Sequence, residues 1–221
     1  MSDFVLYGPA YSAYTRIVRL VLEEKGTPYL LEEVDFISAG MPVAQKERHP
    51  FGMVPALEHE GHMLFEAGPI CSYLDEVLPA PPLAPSDPVA RAQMAATISV
   101  LDNYIWPDLR ELVTQTLFTT LVGGWPDDLI KERMVKRLAA SLAILEERFV
   151  AVGALNSKAV TLADLHAVPM IAYLAETLDG QLLLQDLPAL SGWWNEMKNR
   201  PSVVATAFDL AAYPWAQKTE D

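Results

Sequence analysis

Short apolar runs and helical spacings alternate over the first part of this chain, and beyond a proline-rich stretch near residue 80 the spacing is helical throughout. Phe4 to Tyr7 is a short apolar run that reads as a buried strand, stopped by Gly8-Pro9. Ile17, Val18, Leu20, Val21 and Leu22 then predict a helix that ends at Gly26. Residues 29–34 predict a second strand, and residues 53–57 and 62–65 two more, on either side of the Glu60-Gly61 hairpin signal. A further helix is predicted over residues 68–78. The order β-α-β-α-β-β-α implies a mixed four-stranded sheet with helices on its faces. Its first connection is long enough for a parallel crossover and its last is a hairpin.

Five prolines lie between Pro79 and Pro88, a density that excludes helix and central strand and reads as a semi-rigid linker. Beyond it the spacing is helical. Met94, Ile98, Leu101, Ile105, Leu109 and Leu112 recur at intervals of three and four, with Pro107 set to kink the run. Ile130, Met134, Leu138, Leu142, Leu145 and Phe149 form the next amphipathic helix. Thr161-Leu162-Ala163-Asp164 is a capping sequence in which Asp164 can reach back to the amide of Thr161, with Val160 and Leu165 as its apolar staple. The expected organisation is an α/β domain over residues 1–79, a linker over 80–88 and an all-helical domain over 89–221.

Composition narrows the function classes. The 221 residues are 51% apolar, enough for a sizeable core, and carry a net charge of -13. Residues 1–78 hold 5 basic and 12 acidic side chains and the remainder 11 and 17, so neither part offers the cationic face that nucleic acid or an anionic membrane requires. The single cysteine, Cys71, excludes an internal disulfide, and four scattered histidines give no basis for a metal cage. No uncharged run approaches the length of a membrane span and the start of the chain lacks a leader pattern, so a soluble cytoplasmic protein is expected.

The candidate chemistry gathers around His49-Pro50-Phe51-Gly52-Met53-Val54-Pro55. A proline inside a strand pattern cannot donate to the ladder, so Val54-Pro55 implies a backbone turned toward something outside the sheet. A cis bond would suit that turn. The free Val54 amide and carbonyl can then pair with a peptide-like ligand as an added strand would. Glu66 opens the next helix, where backbone amides and the helix dipole favour an anion, so a peptide carrying a carboxylate suits both places. Ser12 stands at the start of the first helix, where it can cap the helix or hold a thiolate, since thiols ionise more readily near helix N-termini and donors. Cys71, in the middle of an amphipathic helix, reads as a small core residue.

His-Pro-Phe-Gly-Met-Val-Pro-Ala-Leu at 49–57, followed by Phe-Glu-Ala-Gly-Pro-Ile-Cys at 65–71, resembles the glutathione-binding half of the soluble glutathione transferases. Ser12 to Thr15 with Val18-Arg19 behind it resembles the motif of serine-type members, and the chain is identified with a serine-type bacterial member. Thr161 to Asp164 and the stretch from Trp194 to Val203 resemble the family's helical domain, so the resemblance covers residues 4–208. It is weakest over 80–155.

The resemblance implies a thioredoxin-like first domain, with Pro55 in cis and glutathione bound by Met53, Val54, Pro55, Glu66 and Ala67. Ser12 would be the hydrogen-bond donor to its thiolate. Ala67 departs from the family, which usually has a serine there. Tyr7 is a rival donor, because tyrosine-type members use a phenol near the end of the first strand; its other fate is a core tyrosine. Gln45, Lys46, Arg48 and His49 precede the turn and are candidates for the glycyl carboxylate, while Arg16 and Arg19 line the site or pair structurally. Tyr14, Tyr104 and Trp106, with Phe118 and Trp125, either wall an apolar pocket for the electrophile or belong to the core. The resemblance also implies a homodimer, to which Asp102 contributes across the interface, although Asp102 reads equally as a solvated helix acid. The expected activity is transfer of glutathione to a small apolar electrophile without a metal. The alternative is a non-catalytic glutathione- or ligand-binding protein of the same fold.

Overall fold

The computed structural model describes residues 3–38, 40–122, 124–156 and 158–217. They form two compact units: residues up to 84 together with 201–210, and residues 85–200 together with the segment from 211 onward.

The first unit holds a four-stranded sheet in the order β2-β1-β3-β4, made of β1 (Phe4–Tyr7), β2 (Leu30–Glu32), β3 (Ala56–His59) and β4 (His62–Phe65). β1 runs parallel to β2 and antiparallel to β3, and β3 to β4 is the hairpin around Glu60-Gly61. Helices α1 (Ala13–Glu24), α2 (Val43–Arg48) and α3 (Ala67–Val77) complete the β-α-β-α-β-β-α order of a thioredoxin-like domain. Leu6, Leu57, Ile17, Leu20, Ile70 and Leu74 are fully buried between sheet and helices, each contributing about 1.5–3 kcal/mol. Two strands are shifted or shortened relative to their patterns. β3 starts at Ala56 rather than at residue 53, because Tyr7 pairs with Ala56 and β1 ends there, leaving Met53 to Pro55 outside the ladder. β2 keeps only the three residues that pair with β1.

The proline-rich stretch is gripped at its beginning. Lys25, buried at the end of α1, pairs with Asp75 of α3 at 2.7 Å and donates to the carbonyls of Asp75, Pro79 and Pro81. Asp75 in turn accepts from the amides of Leu83 and Ala84 at 2.8 and 2.9 Å. A buried ion pair with its remaining hydrogen-bond capacity used is the arrangement in which such a pair is tolerated, and here it fixes the chain from 79 to 84 onto the first unit.

Residues 201–210 also belong to this unit. Arg16 donates to the Thr206 hydroxyl and the Val203 carbonyl at 3.3 and 3.1 Å, and Arg19 to the Thr206 carbonyl and the Tyr29 hydroxyl, both at 3.1 Å. Ser202 donates to Glu24. Both arginines are therefore structural.

In the second unit a long helical run consists of α4 (Pro88–Val100), a π-helical turn (Leu101–Ile105), α5 (Trp106–Val113), a second π-helical turn (Thr114–Phe118) and the short α6 (Thr119–Leu121). Pro107 was expected to kink a continuous helix. The ladder widens just before it: the Trp106 amide bonds to the Leu101 carbonyl, and Pro107 falls in the first turn of α5, where its missing amide is least costly. Next come α7 (Asp128–Leu145), extended by a π-helical turn to Val150, then α8 (Leu162–Glu176), α9 (Leu178–Gln185) and α10 (Pro188–Met197). α8 is buried along most of its length, so it is apolar on every side and forms the centre of this unit.

The start of α8 is the capping box read from Thr161 and Asp164. The Thr161 hydroxyl accepts from the Ala163 amide, and Asp164 accepts from the Thr161 amide at 2.8 Å and from Trp193 Nε1 at 2.9 Å. Thr161→Ala is expected to lower stability by about 1 kcal/mol, within the range for lost N-caps, as a shift of the urea midpoint without a change of slope. A loss under ~0.3 kcal/mol would mean that Asp164 holds the cap unaided.

Candidate functional site

The register of the sheet decides where the candidate residues lie. Tyr7 pairs with Ala56 and Ala56 with Phe65, so these three residues form one row across β1, β3 and β4. Ser12 is reached from Tyr7 through a short loop, Val54-Pro55 leads into Ala56, and Glu66-Ala67 follows Phe65. All three predicted segments are thus brought to the same end of the sheet.

Ser12 is the N-cap of α1, and its Oγ accepts from the Thr15 amide at 3.3 Å. Accepting leaves the hydroxyl proton uncommitted, and among the described residues no acceptor takes it. The cap and the donor roles therefore coexist in one hydroxyl. The first turn of α1 carries no acidic residue, although the Glu33 carboxylate accepts from the Ala10 amide just before it at 3.2 Å. The Thr15 hydroxyl is buried away from any ligand, against Gly8. A Cβ at Gly8 would lie 2.3 Å from Thr15 Oγ1, and Gly8 adopts φ +154°, so only glycine lets the loop after β1 close onto α1 here.

Tyr7 is committed elsewhere. Its hydroxyl donates to Glu58 Oε2 at 2.8 Å, and the Arg48 guanidinium stacks 3.8 Å above its ring. Burial and the Glu58 carboxylate raise the phenol above its ordinary pKa, so it stays protonated and gives its one proton to Glu58. Cys71 is buried, and desolvation, with the charge of Asp75, pushes its thiol far up, so it is inert.

Pro55 is in cis and buried, and Val54 is half-buried with no backbone hydrogen bond among the described residues. Met53 is exposed, but its carbonyl is held at 2.8 Å by the amide nitrogen of Gln45, a fully buried side chain on α2. Gln45 was considered only for the glycyl carboxylate; its position beneath the turn could not be read from a six-residue helix with no apolar periodicity.

Glu66 caps α3 with φ +68°, ψ 127°, a left-handed conformation that a non-glycine residue adopts at a cost of about 1–3 kcal/mol. Its side chain is 59% exposed, and the imidazole of buried His49 approaches it at 3.5 Å. Ala67 is buried at the first position of α3.

The helical unit separates the aromatic candidates. Trp106 and Phe118 both pack against Tyr173 of α8, at 6.3 and 6.2 Å between ring centroids, and Phe118 stacks on Trp215, which stacks on Tyr213. Tyr104, two residues before Trp106, projects to a different face and is exposed, and Trp125 is 91% exposed. Tyr14 lies half-buried in the first turn of α1. Tyr173, Trp215 and Tyr213 were not foreseen, since their ring contacts join distant stretches of the chain. Asp102 is not a solvated acid: its Oδ1 lies 2.8 Å from Nε2 of buried His166 on α8. No group of side chains suited to a metal ion occurs among the described residues, and none of their helices is long and apolar enough to cross a membrane.

Residues 6–82 match the model of the glutathione S-transferase N-terminal domain and residues 112–201 that of the C-terminal domain. Glutathione S-transferase F14 of Arabidopsis thaliana is 31% identical over 191 residues, covering 84% of this chain and 75% of that protein. The chain belongs to the glutathione S-transferase family. A member from Pseudomonas putida is 32% identical over 160 residues, covering 72% of this chain and 70% of its own length. The solved structure of glutathione S-transferase-I bound with lactoylglutathione superposes with a TM-score of 0.83 at 28% identity, over 93% of this chain and 99% of that one. Plant proteins predominate among the family members found, so the expectation of a bacterial member is not supported.

Proposed function

We propose that this chain is a serine-type glutathione transferase in which Ser12 donates a hydrogen bond to the glutathione thiolate. The observation that carries this reading is the sheet row of Tyr7, Ala56 and Phe65, which gathers Ser12, Val54 and Glu66 at one end. The unbonded Val54 backbone pairs with the cysteinyl part of glutathione, beside Met53 and Pro55. The Glu66 carboxylate takes the γ-glutamyl ammonium, and the Ala67 amide takes the adjoining carboxylate where the family usually adds a serine hydroxyl. The thiol gives its proton to solvent, the thiolate sulfur attacks an electrophilic carbon, a C–S bond forms, and the leaving group departs with the electron pair of the bond that breaks. Proximity supplies several kcal/mol of the rate and the thiolate supplies the nucleophile.

An apolar electrophile suits the aromatic cluster of Trp106, Phe118 and Tyr173 within the helical unit. The proposal includes a glutathione-binding domain over residues 1–79 and an electrophile-binding domain over 89–221. It also includes cytoplasmic work as a homodimer, with Asp102 near the partner; sedimentation as a monomer at micromolar concentration would end the dimer.

The test is a conjugation assay with a generic aryl halide, alongside calorimetric titration of glutathione. Saturable turnover in both substrates is expected. Ala67 is the one feature that favours the alternative of a binding protein, and glutathione binding without turnover would establish it.

A further inference from the structure

We infer that His49 is the positioning residue for Glu66, an inference that rests on the reading of Glu66 as the ligand of the glutathione ammonium. Glu66 combines a strained backbone with a largely exposed side chain, so its carboxylate needs an outside partner to hold one direction. His49 Nε2, at 3.5 Å, is the donor group that the structure places beside it.

The orientation of that imidazole is fixed from its other side. The Phe51 amide donates to His49 Nδ1 at 3.3 Å, which makes Nδ1 the acceptor and leaves the proton on Nε2, facing Glu66. The ring is 1% exposed and packs against Phe65, the residue before Glu66, at 5.1 Å, and edge-on to Phe51 at 6.3 Å. One buried ring therefore links the turn that carries Val54 to the residue that opens α3. It couples the two halves of the peptide-binding end of the sheet without touching the reacting sulfur.

Two substitutions separate the functions of the two ring nitrogens. Asparagine places its oxygen near the position of Nδ1 and keeps the bond from Phe51, but it does not reach Glu66. Glutamine places an N–H near the position of Nε2 and keeps the approach to Glu66. His49→Asn is expected to raise the glutathione KM about 2- to 5-fold, the lower part of the range for one lost hydrogen-bond donor, with kcat and the electrophile KM retained. His49→Gln is expected to restore the glutathione KM, and in a Glu66→Ala background His49→Asn should have no further effect.

Full additivity of His49→Asn and Glu66→Ala overturns the inference, as does a His49→Gln variant that is folded by circular dichroism and no better than His49→Asn. If Glu66→Ala itself leaves the glutathione KM unchanged, the reading of Glu66 falls and takes this inference with it. Loss with Glu66→Ala but additivity in the double variant removes the role of His49 alone.

Discussion

Replacing Ser12 by alanine should slow conjugation by about one to two orders of magnitude while glutathione still binds. The magnitude follows from removing a donor to a charged group, about 1.5–3 kcal/mol, at about 1.4 kcal/mol per tenfold in rate. Binding survives because Val54, Glu66 and the α1 dipole are untouched. The pKa of the bound thiol should rise in parallel, seen as a shift of the thiolate absorbance titration to higher pH. Helix α1 also loses its side-chain cap, so a stability loss of about 0.5–2 kcal/mol accompanies the kinetic effect and is measured separately.

Tyr7→Phe is the discriminating control. Its hydroxyl already donates to Glu58 at 2.8 Å, so deleting it should leave the thiol pKa nearly unchanged. If the titration moves with Tyr7→Phe and ignores Ser12→Ala, the donor is the phenol.

The second large effect is on stability. Lys25→Met should cost about 3–5 kcal/mol, the range for breaking a buried ion pair from one side. The substitution leaves Asp75 charged and mostly buried, and three carbonyls, of Asp75, Pro79 and Pro81, lose their donor. The amides of Leu83 and Ala84 still reach Asp75, so the loss belongs at the lower end of that range. Urea denaturation gives the figure, and limited proteolysis should show new cleavage between residues 79 and 84. A loss below ~1 kcal/mol, with that stretch still protected, would mean that the prolines hold it without Lys25.

Local pattern carried the architecture a long way. The alternation before residue 80, the Glu60-Gly61 turn, the proline run and the Thr161-Asp164 box each act over a few residues, so each is readable without knowing what else is nearby. Pro55 was conspicuous for the same reason: a missing donor inside a strand pattern is a local anomaly.

Pairings that cross the chain left no such trace. Lys25 and Asp75 are 50 residues apart, and Asp102 and His166 are 64 apart; a charged residue looks the same in sequence whether it ends in water or against a partner. The π-helical turns escaped as well, since their apolar residues still recur at helical intervals and only the hydrogen-bond ladder differs. The short helix over residues 201–205 is too brief to have a period, and nothing in Val203 or Thr206 announced that they pack into the first unit.

That return of the chain bears on synthesis. Arg16 and Arg19 are buried in α1, and several of their partners are Val203 and Thr206, made almost two hundred residues later. While the ribosome is still adding the helical unit, those acceptors do not yet exist and the face of α1 that they cover is open to water. The first unit therefore reaches its final packing only after the stretch beyond Arg200 is made. Its final docking waits for the stretch after Arg200, so a chain interrupted before that point should be handed to proteolysis rather than accumulate as a folded glutathione-binding fragment.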